Sequence, residues 1–94
     1  MKVRFTETAI RELEDVLRYL SERHPGAATA VARRVKDIAL LLADYSFSGR
    51  EADESGVRIA SMVRYPFLVF YTVTPDEVVI LSVRHAARQW PWED

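Results

Sequence analysis

Cysteine is absent from this chain of 94 residues. Disulfides and zinc–thiolate centres are thereby excluded, and the composition suits a reducing compartment. Lysine is nearly absent: Lys2 and Lys36 are the only two. Together with arginine they give 13 cations against 14 Asp and Glu, a formal net charge of −1. A dedicated nucleic-acid binder carries a basic surplus, so this balance weighs against one, although a local arginine cluster can act against an acidic background. Long hydrophobic runs are missing as well. No stretch approaches the ~20 apolar residues that span a bilayer, and MKVRFTETA holds no apolar segment of signal-peptide length. A soluble, cytoplasmic protein with no membrane association is expected. Repeats, low-complexity segments and linkers are also lacking.

What is present is a globular profile, 49% hydrophobic and 29% charged. The length suits one domain, residues 1–94. A domain this small buries roughly 60–65% of its unfolded surface, so its stability is modest and a partner can matter.

Lys2 to Phe5 alternates and reads as a first strand. Thr6 offers a hydroxyl to cap a helix, and Glu7 sits where the helix dipole favours an anion. Ala9, Ile10, Leu13, Val16, Leu17 and Leu20 then recur at three- and four-residue spacing, the stripe of an amphipathic helix. Ser21 to His24 breaks the pattern. Pro25 suits the first turn of a second helix running to about Ala43, with Val31, Ala32, Val35, Ile38, Ala39 and Leu42 as its stripe. The polar stretch Asp44 to Gly56 reads as a long loop. Val57 to Arg64, Phe67 to Val73 and Val78 to Arg84 read as three strands, separated by turns at Tyr65-Pro66 and at Thr74 to Glu77.

This order describes an α+β fold, β-α-α-β-β-β, an antiparallel sheet with both helices packed on one face. Four strands span about 19 Å and two helices side by side about 20 Å, so the helices cover one face completely. Leu68 and Phe70 point away from Phe67, Val69, Tyr71 and Val73, so one of the two sets is left uncovered. A bare face of about 400 Å² is at the upper end of what soluble monomers expose. Either the C-terminal segment with Trp90 and Trp92 folds over it, or a partner segment lies in the groove. The partner is the preferred reading.

The closing stretch LSVRHAARQW runs from strand into Arg84, His85, Arg88 and Trp90. This ending completes a resemblance to the RelE/ParE superfamily, the toxin halves of bacterial toxin–antitoxin pairs. The resemblance covers nearly the whole chain. It is carried by FTETAIRELEDVLRYL, the H-P-G break, SGRE (48–51), GVRIASMVRYPFLVFYTV (56–73) and VVILSVRHAARQ (78–89). It implies a sheet with two helices on one side, and a cognate antitoxin that wraps the toxin with an otherwise flexible segment to form a hetero-oligomer.

The superfamily divides by target. RelE-like members cleave messenger RNA on the ribosome; ParE-like members inhibit DNA gyrase and are not known to need catalytic residues of their own. Neither class calls for a metal or an organic cofactor. Metal-free RNA cleavage needs a proton acceptor, a proton donor and cations for the phosphorane. His85 suits either proton role, Arg64 and Arg84 suit the phosphate, and Glu51 is a possible base. Three departures weigh against that set: no lysine lies in the meander, Ala86 and Ala87 stand where such nucleases often place a tyrosine, and the net charge is poor for docking on ribosomal RNA. The ParE-like reading is therefore preferred, with a RelE-like ribosome-dependent endoribonuclease as the alternative. Under the preferred reading Arg50, Arg58, Leu68, Phe70, Arg88, Trp90 and Trp92 are binding residues, and the tryptophans are a candidate anchor for gyrase. Plainer roles compete: Arg58 and Arg64 as the rim of an antitoxin groove, Arg50 as an anchor of the long loop, His85 as a structural histidine, Tyr71 as core, and Trp90 and Trp92 as a lid on the core.

Overall fold

The computed structural model describes residues 1–87. The chain runs β1 (Lys2–Phe5), α1 (Glu7–Arg23), α2 (Pro25–Asp44), β2 (Arg50–Glu51), β3 (Arg58–Ser61), β4 (Phe67–Val73) and β5 (Glu77–His85). The strands form one sheet in the order β1-β5-β4-β3-β2. Both helices pack on one face of it, as the apolar stripes require. Two groups of buried side chains fill that layer. Ala9 and Leu42 meet Val69, Tyr71, Val78 and Ile80. Val31 and Val35 meet Met62 and Phe67, with Leu13, Val16, Leu17 and Leu20 packed around them. Among the described residues no helix is long and apolar enough to cross a membrane.

Helix α1 starts where Thr6 leaves β1. The Thr6 hydroxyl accepts the Ala9 N–H at 3.1 Å, closing one of the open donors of the first turn. A single residue, His24, joins the helices, and Pro25 opens α2 at a position where its missing N–H costs nothing.

Four details differ from the sequence-based expectation. The sheet is not wholly antiparallel: β1 pairs in parallel with β5, Lys2 opposite Glu77 and Phe5 opposite Ile80. The helical hairpin lies between these strands in sequence, and the long return lets the first strand run alongside the last in the same direction. The stretch expected to be wholly irregular contains β2, which pairs Arg50 with Ile59 and Glu51 with Arg58. Two residues are too few to show a period. The strand expected to run to Arg64 stops at Ser61. Beyond it Val63 is 64% exposed, and Arg64 turns the chain at φ 75°.

The fourth difference positions the candidate site. Phe70 lies opposite Ser82 and Tyr71 opposite Ile80, so Leu81 is an extra residue, a β-bulge in β5. Strict alternation would put residues 78, 80, 82 and 84 on one face. The bulge switches the parity: Val78 and Ile80 face the helices, and Ser82 and Arg84 face outward beside Phe70 and Leu68. Helix α1 holds the bulge in place. The Thr6 N–H donates to the Ile80 carbonyl at 3.0 Å, and the Thr6 hydroxyl donates to the Leu81 carbonyl at 3.2 Å.

Candidate recognition corner at the end of the last strand

Three segments meet at one end of the sheet. β5 ends at His85, opposite Phe67 at the start of β4. The Ala86 N–H donates to the Pro66 carbonyl at 2.6 Å, tying the strand end to the β3–β4 turn that carries Arg64. Helix α1 borders the outer edge of β5 beyond the last residue of β1. An open groove of about 710 Å³ follows that edge, bordered by Glu12, Tyr19, Phe67, Val83, Arg84 and His85 among others.

The two basic residues ending β5 sit on opposite faces. Arg84 lies outward, its guanidinium carbon 4.7 Å from the centroid of the Phe70 ring. Its Nε donates to Ser82 Oγ at 2.7 Å. His85 lies on the helix side, edge-on to Phe67 with ring centroids 5.4 Å apart. Its Nδ1 accepts the Ala87 N–H at 3.1 Å, so that nitrogen carries no proton in this arrangement. Arg64 is exposed in the turn. An arginine in the left-handed region costs roughly 1–2 kcal/mol relative to glycine, so the turn is held by its surroundings. The Met62 N–H to Phe67 carbonyl bond, 3.1 Å, is one of those restraints.

The remaining candidates divide by face. Leu68 and Phe70 lie on the outer face and are half-buried, less bare than the two-helix argument implies. Ile59 and Val79 on the same face are only 7% and 6% exposed. Arg50, on β2, is exposed and shares the outer row with Ile59 and Phe70. Arg58 lies in the row of Glu51 and Tyr71 and is turned to internal work. Its Nη1 donates to the Gly49 carbonyl at 2.7 Å and the Phe47 carbonyl at 3.3 Å, and its Nη2 is 3.7 Å from Glu51. It braces the long loop. Tyr71 is fully buried, and its hydroxyl accepts the Gly49 N–H at 2.8 Å. Arg88, Trp90 and Trp92 lie outside the described residues.

Two residues that sequence reasoning did not single out belong to the corner. Glu12 on α1 accepts the Ser82 hydroxyl and, at 3.1 Å, the Val83 N–H, a donor on the β5 edge beyond the reach of β1. A signal for each was present: Glu12 interrupts the helix side marked by Ala9, Leu13 and Val16, and Ser82 is the lone hydroxyl in the apolar run of β5.

The chain belongs to the ParE toxin family: the family described as ParE toxin of type II toxin-antitoxin system, parDE, matches residues 3–90. It is 33% identical over 90 residues to the putative toxin Y4kP of Sinorhizobium fredii, covering 96% of this chain and 93% of that protein. It is also 33% identical over 87 residues to Toxin RelE2 of Caulobacter vibrioides, covering 93% of this chain and 97% of that one. A chain of the chromosomal ParDE toxin–antitoxin system from P. aeruginosa shares the fold with a TM-score of 0.79 at 22% identity, covering 90% of this chain and 95% of that chain. The protein is thus a type II toxin of the RelE/ParE superfamily.

Proposed function

We propose that this toxin acts by binding a protein: the end of β5 and the segment after it contact DNA gyrase, and a cognate antitoxin silences the toxin across the outer face of the sheet. The observation that carries this reading is the division of Arg84 and His85 between two faces of β5. A metal-free ribonuclease gathers acid, base and cation around one phosphate. Here the histidine is engaged with Phe67 and its own following turn, the arginine lies over Phe70, and Arg64 stands on a separate turn. The match to the ParE family supports the same choice. Gyrase contact is assigned to Arg84 and Arg88 with Trp90 and Trp92 as aromatic anchors. Antitoxin contact is assigned to Arg50, Leu68 and Phe70. The hetero-oligomer with the antitoxin is then the silenced state, and the free toxin is the active one.

The test is a supercoiling assay with the purified chain at micromolar concentration, with and without the product of the neighbouring reading frame. Inhibition that the second protein relieves is the expected result; supercoiling at the uninhibited rate sinks the reading. A RelE-like ribosome-dependent endoribonuclease is the second reading, favoured by the likeness to Toxin RelE2 and by the groove that Arg84 and His85 both border. It requires cleaved transcripts in a translation mixture and their loss in His85→Ala.

A further inference from the structure

Among the described residues, Ser82 and the phenol of Tyr71 are the buried side chains that carry a hydroxyl, and Ser82 is 3% exposed. A buried hydroxyl needs partners, and this one has two. It donates to Glu12 Oε1, and its oxygen accepts from Arg84 Nε at 2.7 Å. Glu12 Oε1 accepts the Val83 N–H as well.

The direction of these bonds is set by chemistry. A serine hydroxyl has one proton. An ionised carboxylate has only lone pairs, so Glu12 claims that proton. The Ser82 oxygen is then left as an acceptor, and it faces the Nε–H of Arg84. The three residues form a chain from cation through hydroxyl to anion, anchored on α1. A guanidinium is planar. One bond at Nε and the Phe70 ring, whose centroid lies 4.7 Å from the guanidinium carbon, both restrict its orientation. Long cationic side chains ordinarily lose rotamer freedom on binding, and a preset orientation removes much of that cost.

We infer that Glu12 and Ser82 are positioning residues for Arg84, holding its guanidinium in the orientation in which it meets the target protein. This rests on the proposed reading of the strand end as the target contact. The hydroxyl is the link in the chain, and the bulge at Leu81 turns Ser82 and Arg84 together to the outer face.

The experiment uses the full chain and its variants Arg84→Ala, Ser82→Ala, Ser82→Thr and the double variant Ser82→Ala/Arg84→Ala. Two quantities are read: the concentration that half-inhibits gyrase supercoiling, and the Nε–H resonance of Arg84 by NMR. A charge-assisted hydrogen bond corresponds to about a tenfold effect when lost. Ser82→Ala should weaken inhibition by about that factor and should shift and broaden the Nε–H resonance. Ser82→Thr, which keeps a hydroxyl, should restore both. The double variant should be no weaker than Arg84→Ala alone, because a positioning residue has nothing left to position. A serine that merely stabilised the fold would weaken the double variant further. Full inhibition by Ser82→Ala with loss in Arg84→Ala overturns the positioning role and leaves the strand-end reading intact. Full inhibition by Arg84→Ala, or none by the wild-type chain, overturns that reading and the positioning role with it. An unmoved Nε–H resonance in Ser82→Ala overturns the positioning role even if inhibition falls.

Discussion

Gly49 shows how a single residue decides the course of the long loop. A Cβ at this position would lie 2.6 Å from the Tyr71 hydroxyl and 2.7 Å from the Ile59 carbonyl. The second contact is backbone and cannot swing aside. Gly49→Ala should destabilise the protein by about 1–3 kcal/mol, the range for inserting a methyl into packed surroundings, seen as a lower urea midpoint. Tyr71→Phe keeps the ring and removes the acceptor for the Gly49 N–H, which should cost about 1–2 kcal/mol. The two losses should sum to more than the double variant costs, because removing the hydroxyl also removes one of the atoms the new methyl meets. The same urea series checks it, and strict additivity would show that the loop does not rest on this contact. The glycine was visible in SGRE, but its reason was not. Nothing local in the sequence says that a tyrosine 22 positions on will press against it.

Elements were legible where their patterns were local and long. The stripe from Ala9 to Leu20 marked α1, and Thr6 marked its start. The structure adds a duty for Thr6 that no periodicity reveals, since it caps the helix and also holds the bulge through the Leu81 carbonyl. Thr6→Ala should lower stability by about 1–2 kcal/mol, the upper part of the range for a lost cap, measured by thermal melting. β2 escaped notice because two residues carry no alternation. The bulge escaped because Ile80 and Leu81 are equally apolar, so a change of face leaves no trace in hydrophobicity. The end of β3 was misplaced because Val63 and Arg64 continue the alternation into a turn. Arg84 and His85 were picked out correctly as residues of the strand end, yet without the bulge there was no means of telling which face each would take. The loop of residues 45–57 hangs on Arg58, which reaches two of its carbonyls. Arg58→Met should loosen the loop and raise the rate of tryptic cleavage after Arg50 severalfold while global stability changes far less. An unchanged cleavage rate would mean that the Arg58 bonds do not hold the loop and that Tyr71 and the β2–β3 pairing do.

At the scale of the whole molecule, the apolar surface is distributed differently from the simple two-layer estimate. Phe70 lies under Arg84 and Leu68 is half-buried, whereas Leu40, Leu41, Tyr45 and Phe47, at the end of α2 and just past it, are 61, 49, 65 and 64% exposed. Neighbouring exposed side chains of this size favour self-association at high concentration. The paired substitution Leu40→Glu and Leu41→Lys should reduce light scattering by the concentrated protein. Its unfolding free energy should move by no more than about 0.5 kcal/mol, as for other surface changes. The layer count itself was readable, because two stripes and three apolar strands allow few other arrangements. The parallel seam between the first and last strands was not, because it joins residues 75 positions apart, as in the bond from Thr6 to Leu81.

That seam has a consequence for the order of assembly. A ribosome releases the opening strand long before the strand it pairs with, and the intervening helical hairpin can form in the meantime. The opening strand must therefore wait, unpaired, until the final strand emerges to dock beside it. Long-range pairings of this kind slow folding and prolong the exposure of sticky intermediates. Completion of the globule and construction of the basic corner thus coincide, so a chain halted early in translation possesses neither.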